Sequence, residues 1–160
     1  MMVSSAFLFA YIGIMDTQEI NSRLQLLKKD SQAKFGKMTA QHMVEHLILT
    51  FKISYGRIKI PHFEPNERQA REKTGLLYTE MEFPIGIKAP GLPEELLPLR
   101  YSCLEEAHQE LIKTIEAFNH FFDENPTQEL IHPRLGMLSH EEWKTFHQKH
   151  LRHHFKQFEI

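Results

Sequence analysis

The sequence predicts an all-α protein, a four-helix bundle with one long crossover between helices two and three. Four segments carry apolar residues at three- and four-residue steps, the pattern of amphipathic helices. Most of these segments begin at residues typical of helix N-caps. Six of the eight prolines lie between residues 61 and 98, where they break interior helix hydrogen bonding and indicate an irregular connection. Long helices joined by one such crossover are typical of bundles.

Helix one is expected over residues 17–29, because Asp16 and Glu19 stand at capping-box spacing. Its apolar stripe consists of Ile20, Leu24 and Leu27. Helix two is expected to follow Thr39 as its N-cap and to continue to about Ser54, before Gly56.

The crossover covers residues 57–99, with one short helix around residues 67–73. We expect this segment to form a lid over a functional site or a wrap that shields the core. Helix three is expected to start at Ser102, with Glu105 in the capping-box position, and to end before Asn125. Helix four has the clearest start, with Ser139 as N-cap and Glu142 three residues on, and runs to about residue 157.

Length and composition exclude several classes of protein. The chain has 160 residues and nearly balanced charge, 19 Lys and Arg against 21 Asp and Glu, so we expect one domain and no nucleic-acid partner. No apolar run reaches the roughly 20 residues of a membrane span. A single cysteine, Cys103, excludes an internal disulfide and a cysteine-based zinc site. A cytoplasmic protein without a membrane partner is expected.

The first 14 residues differ from the rest of the chain. They are largely apolar, but no Lys or Arg precedes the apolar run, as a secretory signal would require. Met15 opens a segment that reads like a natural start. We therefore expect residues 1–14 to be a non-core leader or the product of a mis-called start codon, and residues 15–160 to form the domain.

Histidine is the unusual residue of this composition. There are 11 histidines, and several lie on helix four. On a helical wheel His147, His150 and His154 share the inward face with Trp143. The opposite face, expected to be solvated, carries Lys144, Lys149, Arg152 and Lys156.

His150 and His154 are one helical turn apart, so their imidazoles can converge on one metal ion. A third ligand must come from elsewhere, and His42 and His46 on helix two or His108 on helix three are available. His147 could be a further ligand, a residue that hydrogen-bonds to one of the ligands, or a packing residue. An HExxH zinc motif is excluded, because Lys144 stands where the second histidine after His140 would be.

Two segments resemble the DinB/YfiT-like superfamily, and in particular a branch of uncharacterised domains. These segments are KFGKMTAQHMVEHL, residues 34–47, and HPRLGMLSHEEWKTFHQKHLRHHFKQF, residues 132–158. The second contains the superfamily's H-x-x-H-H-x-x-Q pattern. The resemblance implies a four-helix bundle that binds one divalent metal, most often zinc or nickel. Carried over residue by residue, the metal ligands would be His46, His150 and His154.

Characterised relatives in that superfamily include thiol-dependent S-transferases and isomerases, and many members have no known reaction. The expected function is therefore that of a divalent-metal enzyme, a thiol-dependent transferase or a hydrolase. Its partner would be a small-molecule substrate such as a low-molecular-weight thiol, and the chain could form a homodimer. His147 is the candidate catalytic residue beside the metal, with His132 and Glu45 as weaker ones. The alternative is a non-catalytic metal-binding or stress-response bundle.

Overall fold

The computed structural model describes residues 16–86 and 95–160, so the expectation for residues 1–14 lies outside the described residues. The described part is mostly helical, in agreement with the predicted class. Its elements in chain order are α1 (Thr17–Leu24), α2 (Ala40–Ser54), α3 (Glu67–Tyr78), α4 (Leu104–Glu124), β1 (Leu130–His132), β2 (Gly136–Leu138) and α5 (His140–Phe158).

Three predicted helix starts are confirmed. The Asp16 carboxylate accepts hydrogen bonds from the backbone N–H groups of Gln18 and Glu19. The Thr39 hydroxyl accepts one from the backbone of His42. Ser139 and Glu142 form both halves of a capping box at the start of α5. Each cap satisfies backbone donors that the first turn of a helix leaves unpaired.

The start of α4 differs from the prediction by one residue. Cys103, not Ser102, is the N-cap, and it provides no side-chain hydrogen bond. Ser102 lies outside the helix, where its backbone N–H and its hydroxyl both donate to the Glu106 carboxylate. Glu106, and not Glu105 as predicted, therefore provides the carboxylate that accepts hydrogen bonds at the start of α4.

Two helices in the first half have different lengths from those expected. α1 ends at Leu24 rather than at residue 29, and the chain continues in tight turns in which Leu27 N–H donates to the Leu24 carbonyl. Leu27 is still buried, so the apolar stripe extends beyond the end of the helix. α3 starts where predicted, behind a capping box of Asn66 and Gln69, but extends to Tyr78.

A short antiparallel hairpin of β1 and β2 was not predicted. It pairs Leu130 with Leu138 and His132 with Gly136. Gly136 has φ +81° and lies directly against the Pro65 ring, which leaves no room for a Cβ atom. β2 ends at Leu138, directly before Ser139, the N-cap of α5, so the hairpin leads straight into that helix.

The core lies where α2, α4 and α5 meet. α2 packs along α4, and α5 packs against both α2 and α3. The largest fully buried side chains include Phe51 from α2, Phe118 from α4 and Trp143 from α5. The Trp143 indole N–H donates to the Leu130 carbonyl at 3.1 Å, which joins α5 to the hairpin. Within residues 16–86 and 95–160, no helix is long and apolar enough to cross a membrane.

Candidate metal centre

Three histidines from two helices meet in the interior. His46 comes from α2, and His150 and His154 come from successive turns of α5. The Nε2 atom of His150 lies 3.0 Å from the Nε2 atom of His46 and 3.0 Å from that of His154. His150 and His154 are buried and His46 is partly exposed. We call these residues the histidine triad; they are the set that the sequence resemblance implied.

The Nε2 atom of His150 cannot form good hydrogen bonds to both neighbours. In a neutral ring this atom carries either one proton or one in-plane lone pair, so it either donates or accepts. A single proton or a single lone pair serves one well-aligned hydrogen bond, and His150 has a neighbour at 3.0 Å on each of two sides. Two nitrogens bound about 2.0–2.1 Å from one ion would themselves lie roughly 2.9–3.4 Å apart. The observed spacing therefore fits a shared cation.

The environment holds all three rings in the neutral form that can bind a metal. Burial, together with the charge of His153, lowers the pKa of His46 from 6.5 to about 4. Burial and the neighbouring His46 lower the pKa of His154 to about 3. The pKa of His150 falls well below its ordinary value, first through burial and then through its two triad neighbours. Each ring thus has a lone pair available near neutral pH.

The Nδ1 atoms of His150 and His154 differ in their hydrogen bonding. The His154 Nδ1 atom lies 2.7 Å from Oε1 of Gln157, one turn further along the helix. Gln157 in turn donates from Nε2 to the Phe35 carbonyl at 3.0 Å. The Nδ1 atom of His150 is buried and has no hydrogen-bond partner among the described residues.

Aromatic side chains surround the triad. The Phe83 ring packs against His150, with centroids 5.2 Å apart, and also against Phe146 and His153. The Phe35 ring packs against His153 at 5.2 Å. Phe83 lies just after α3, in the predicted crossover, so the crossover does contribute to the surroundings of the triad.

Lys149 anchors that part of the crossover. Its ammonium group donates to the carbonyls of Leu76, Thr79 and Met81 at 2.6–2.7 Å. Lys149 is only 6 % exposed and Lys144 only 9 %, so the prediction of a solvated basic face was wrong for both. For Lys149 the reason is that the end of α3 and the segment after it cover its side of α5; Lys144 pairs with Glu141 on its own helix. Burial lowers the pKa of Lys149.

His147 has no hydrogen bond to the triad. Its ring is fully buried and stacks on Phe51, with centroids 3.7 Å apart and planes inclined by 10°. It also meets the ring of Phe118 at a right angle. Within residues 16–86 and 95–160, neither ring nitrogen has a hydrogen-bond partner. The His147 ring is thus packed among aromatic rings, and its proposed catalytic role beside the metal stays a prediction.

The other candidate ligands have partners away from the triad. His42 pairs with the Thr39 hydroxyl at 2.6 Å, and His108 pairs with Asn21 at 2.7 Å. His132 lies in the hairpin, where its Nδ1 atom accepts two backbone hydrogen bonds.

Glu45, the weaker catalytic candidate on α2, is 8 % exposed. It accepts a hydrogen bond from the backbone of Arg100 at 2.6 Å and another from the side chain of Gln41. The chain directly after the crossover covers this face of α2, which a helical wheel of α2 alone does not indicate.

Sequence reasoning missed the parts played by Gln157, Lys149 and Phe83. For Gln157 a signal was present, because it stands three residues after His154 and on the same face of α5. For Lys149 and Phe83 there was none, because both depend on how the crossover folds back on α5.

Comparison with known families gives one match. The profile of a family described as a protein of unknown function, DUF1569, covers residues 79–160, just over half of the chain. The matched part contains two members of the triad, His150 and His154, together with Phe83, Lys149 and Gln157. Comparisons with curated proteins and with solved structures gave no match. The chain therefore belongs to the DUF1569 family of proteins of unknown function.

Proposed function

We propose that this protein is a divalent-metal-dependent enzyme whose ion is held by His46, His150 and His154. The observation that carries the proposal is the pair of 3.0 Å contacts at Nε2 of His150. With one proton or one lone pair, Nε2 of a neutral His150 cannot form good hydrogen bonds to both neighbours, whereas a shared cation can accept a lone pair from each of the three rings. Zinc and nickel are the ions best suited to a set of three imidazoles.

We further propose that the helices form a DinB/YfiT-like four-helix bundle, in which α3 is an addition within the crossover. Support comes from the packing of α2 with α4 and α5. The position of the triad, one ligand on α2 and two on α5, also agrees with the H-x-x-H-H-x-x-Q resemblance.

Three protein ligands are typical of catalytic metal sites, because they leave a position for substrate. An ion bound there would supply Lewis acidity to a substrate thiol or to water. The chain's own residues would contribute the neutral ligands and an aromatic surrounding that limits access of water. We therefore propose a thiol-dependent transferase or a hydrolase acting on a small molecule.

A non-catalytic metal-binding role is the second candidate, and one observation favours it. The carboxylate next to the triad in sequence, Glu45, is held by Arg100 and Gln41. Among the described residues, the rings packed against the triad come from phenylalanine and histidine, and no carboxylate is available there as a general acid or base. Such surroundings suit storage or sensing of a metal as well as they suit catalysis.

Thiol binding distinguishes the two candidates. The protein is loaded with Co²⁺ and titrated with 2-mercaptoethanol, while its absorption spectrum is followed for a sulfur-to-cobalt charge-transfer band. The enzyme proposal predicts such a band in the wild type and in the control His42→Ala, and none in His46→Ala. If cobalt binds but no thiol adds to it, and a panel of transfer and hydrolysis assays is negative, the non-catalytic role is the better account.

A further inference from the structure

We propose that Gln157 is a positioning residue of the triad, which fixes the tautomer of His154 so that its Nε2 lone pair faces the metal position. The inference rests on the proposed metal site and goes beyond it, because it assigns a role to a residue that is not a ligand. It is carried by a chain of hydrogen bonds from the loop before α2 to His154.

The first step is the orientation of the Gln157 amide. A backbone carbonyl can only accept hydrogen bonds, so the Phe35 carbonyl, 3.0 Å from the amide nitrogen, requires the NH₂ group on its side. The amide oxygen must then face the opposite way, and there it lies 2.7 Å from Nδ1 of His154. The Phe35 carbonyl therefore determines that the oxygen of the Gln157 amide, and not its nitrogen, faces His154.

The second step is the tautomer of His154. Because the Gln157 oxygen can only accept, the Nδ1 atom of His154 must carry the ring proton. In a neutral ring the Nε2 atom then has a free lone pair, and this is the atom that lies 3.0 Å from His150. Partners of this kind fix ring orientation and raise the basicity of metal-binding histidines in other proteins.

The third step is the support of Gln157 itself. The backbone N–H of Lys34 donates to the Gln157 carbonyl at 2.8 Å, so the loop holds both the backbone and the side chain of this residue. Gly36 follows with φ +78°, and a Cβ atom placed there would lie 3.1 Å from the Gln157 amide nitrogen. Residues 34–36 thus form a close-fitting support, and Gly36 lets the loop approach the amide.

His150 provides the contrast within the triad. Its Nδ1 atom is buried, and in the part of the chain that the structure describes no group hydrogen-bonds to it and fixes its tautomer in the way that Gln157 fixes that of His154. Gln157 therefore acts on a specific ligand, and its loss should change the state of His154 in particular.

The test uses the substitutions Gln157→Met and Gln157→Glu in the full chain. Methionine keeps the length of the side chain but offers no hydrogen bond of similar strength to His154. Glutamate keeps an oxygen for His154 Nδ1, loses the donor to Phe35 and adds a negative charge. Long-range ¹H–¹⁵N spectra of the metal-free proteins report the tautomer of each histidine, and titrations with Zn²⁺ report affinity.

We expect the Nδ1–H tautomer of His154 in the wild type and in Gln157→Glu, and a mixture of tautomers in Gln157→Met. Zinc affinity should fall about 10- to 100-fold in Gln157→Met, and far less in Gln157→Glu. An unchanged His154 tautomer in Gln157→Met, or wild-type zinc affinity in that variant, would overturn the inference. If the wild type binds no zinc, the proposed function fails, and the metal-free spectra still decide the role of Gln157.

A milder variant covers the case in which Gln157→Met does not fold. Gly36→Ala leaves Gln157 in place but crowds its amide, and the matched control is Gly86→Ala. Gly86 also has positive φ, +89°, but a Cβ atom there meets nothing within 4 Å. Both variants carry similar backbone strain, so a tautomer change and an affinity loss confined to Gly36→Ala support the inference. Equal behaviour of the two variants contradicts it.

Discussion

Acidification should destabilise the protein through His132, a residue remote in sequence from the triad. Its ring is 7 % exposed, and its Nδ1 atom accepts hydrogen bonds from the backbone N–H groups of Arg134 and Leu135 at 3.0 and 3.1 Å. These bonds hold the turn between β1 and β2. A proton on Nδ1 would replace the acceptor by a donor and break both of them.

The size of the effect follows from the pKa of His132. Burial, with a smaller contribution from the charge of Arg134, lowers it from 6.5 to about 3. Between these two values the unfolded chain binds a proton that the folded chain does not, so the free energy of unfolding falls as the pH drops below about 6.5. From pH 7 to pH 5 this one group should remove about 2 kcal/mol of stability.

The assay measures the free energy of unfolding by urea at pH 7 and at pH 5, in the presence of a metal chelator, for the wild type and for His132→Asn. The asparagine oxygen can accept the same two backbone hydrogen bonds, as in an Asx turn, but does not titrate. The variant should lose stability at pH 7 because it forfeits ring contacts with Phe146. Between pH 7 and pH 5 it should then lose about 2 kcal/mol less than the wild type.

An exposed histidine provides the control for this experiment. His120 is 74 % exposed, and His120→Asn should reproduce the wild-type difference between pH 7 and pH 5. If His132→Asn also reproduces that difference, the hydrogen bonds of the hairpin do not depend on a neutral His132 and the reasoning fails.

Two further predictions concern Lys149 and the triad. Lys149→Met should lower the free energy of unfolding by about 3 kcal/mol, because three carbonyls lose a charged donor. The substitution should also speed hydrogen exchange in residues 79–83. Lys156→Met, at an exposed lysine, is the control, and equal effects of the two substitutions would refute the anchoring role of Lys149. Zinc affinity should change little between pH 7 and pH 5, since the pKa values of His46 and His154 are lowered to about 4 and about 3. Three histidines with the ordinary pKa of about 6.5 would instead lose affinity on the order of 10⁴-fold over this range, and calorimetric titration at both pH values distinguishes the two cases.

Most of the helical pattern could be predicted because it depends on local signals. The caps at Asp16, Thr39 and Ser139 act on the backbone of the next turn, so the sequence around each one is sufficient. The hairpin could not be predicted in this way. Its strands have three residues each, too few for a period to be recognised, and its geometry depends on Gly136 fitting against Pro65 from a distant part of the chain.

For the candidate site, the prediction succeeded where spacing along one helix decides the geometry. His150 and His154 are neighbours on α5 whatever the rest of the chain does. The orientation of Glu45 and the burial of Lys149 depend on where the crossover lies, and a helical wheel treats every residue opposite the apolar face as solvated. The sequence of α5 alone also could not show that a loop carbonyl, that of Phe35, sets the orientation of Gln157.

Metal content of the purified protein tests the central claim most directly. Elemental analysis is made on the wild type, on the double variant His150→Ala/His154→Ala and on the control His42→Ala, after loading with zinc or nickel and removal of excess metal. We expect one ion per chain in the wild type and the control, and none retained by the double variant. A stoichiometric ion in the double variant, or none in the folded wild type, would contradict the account.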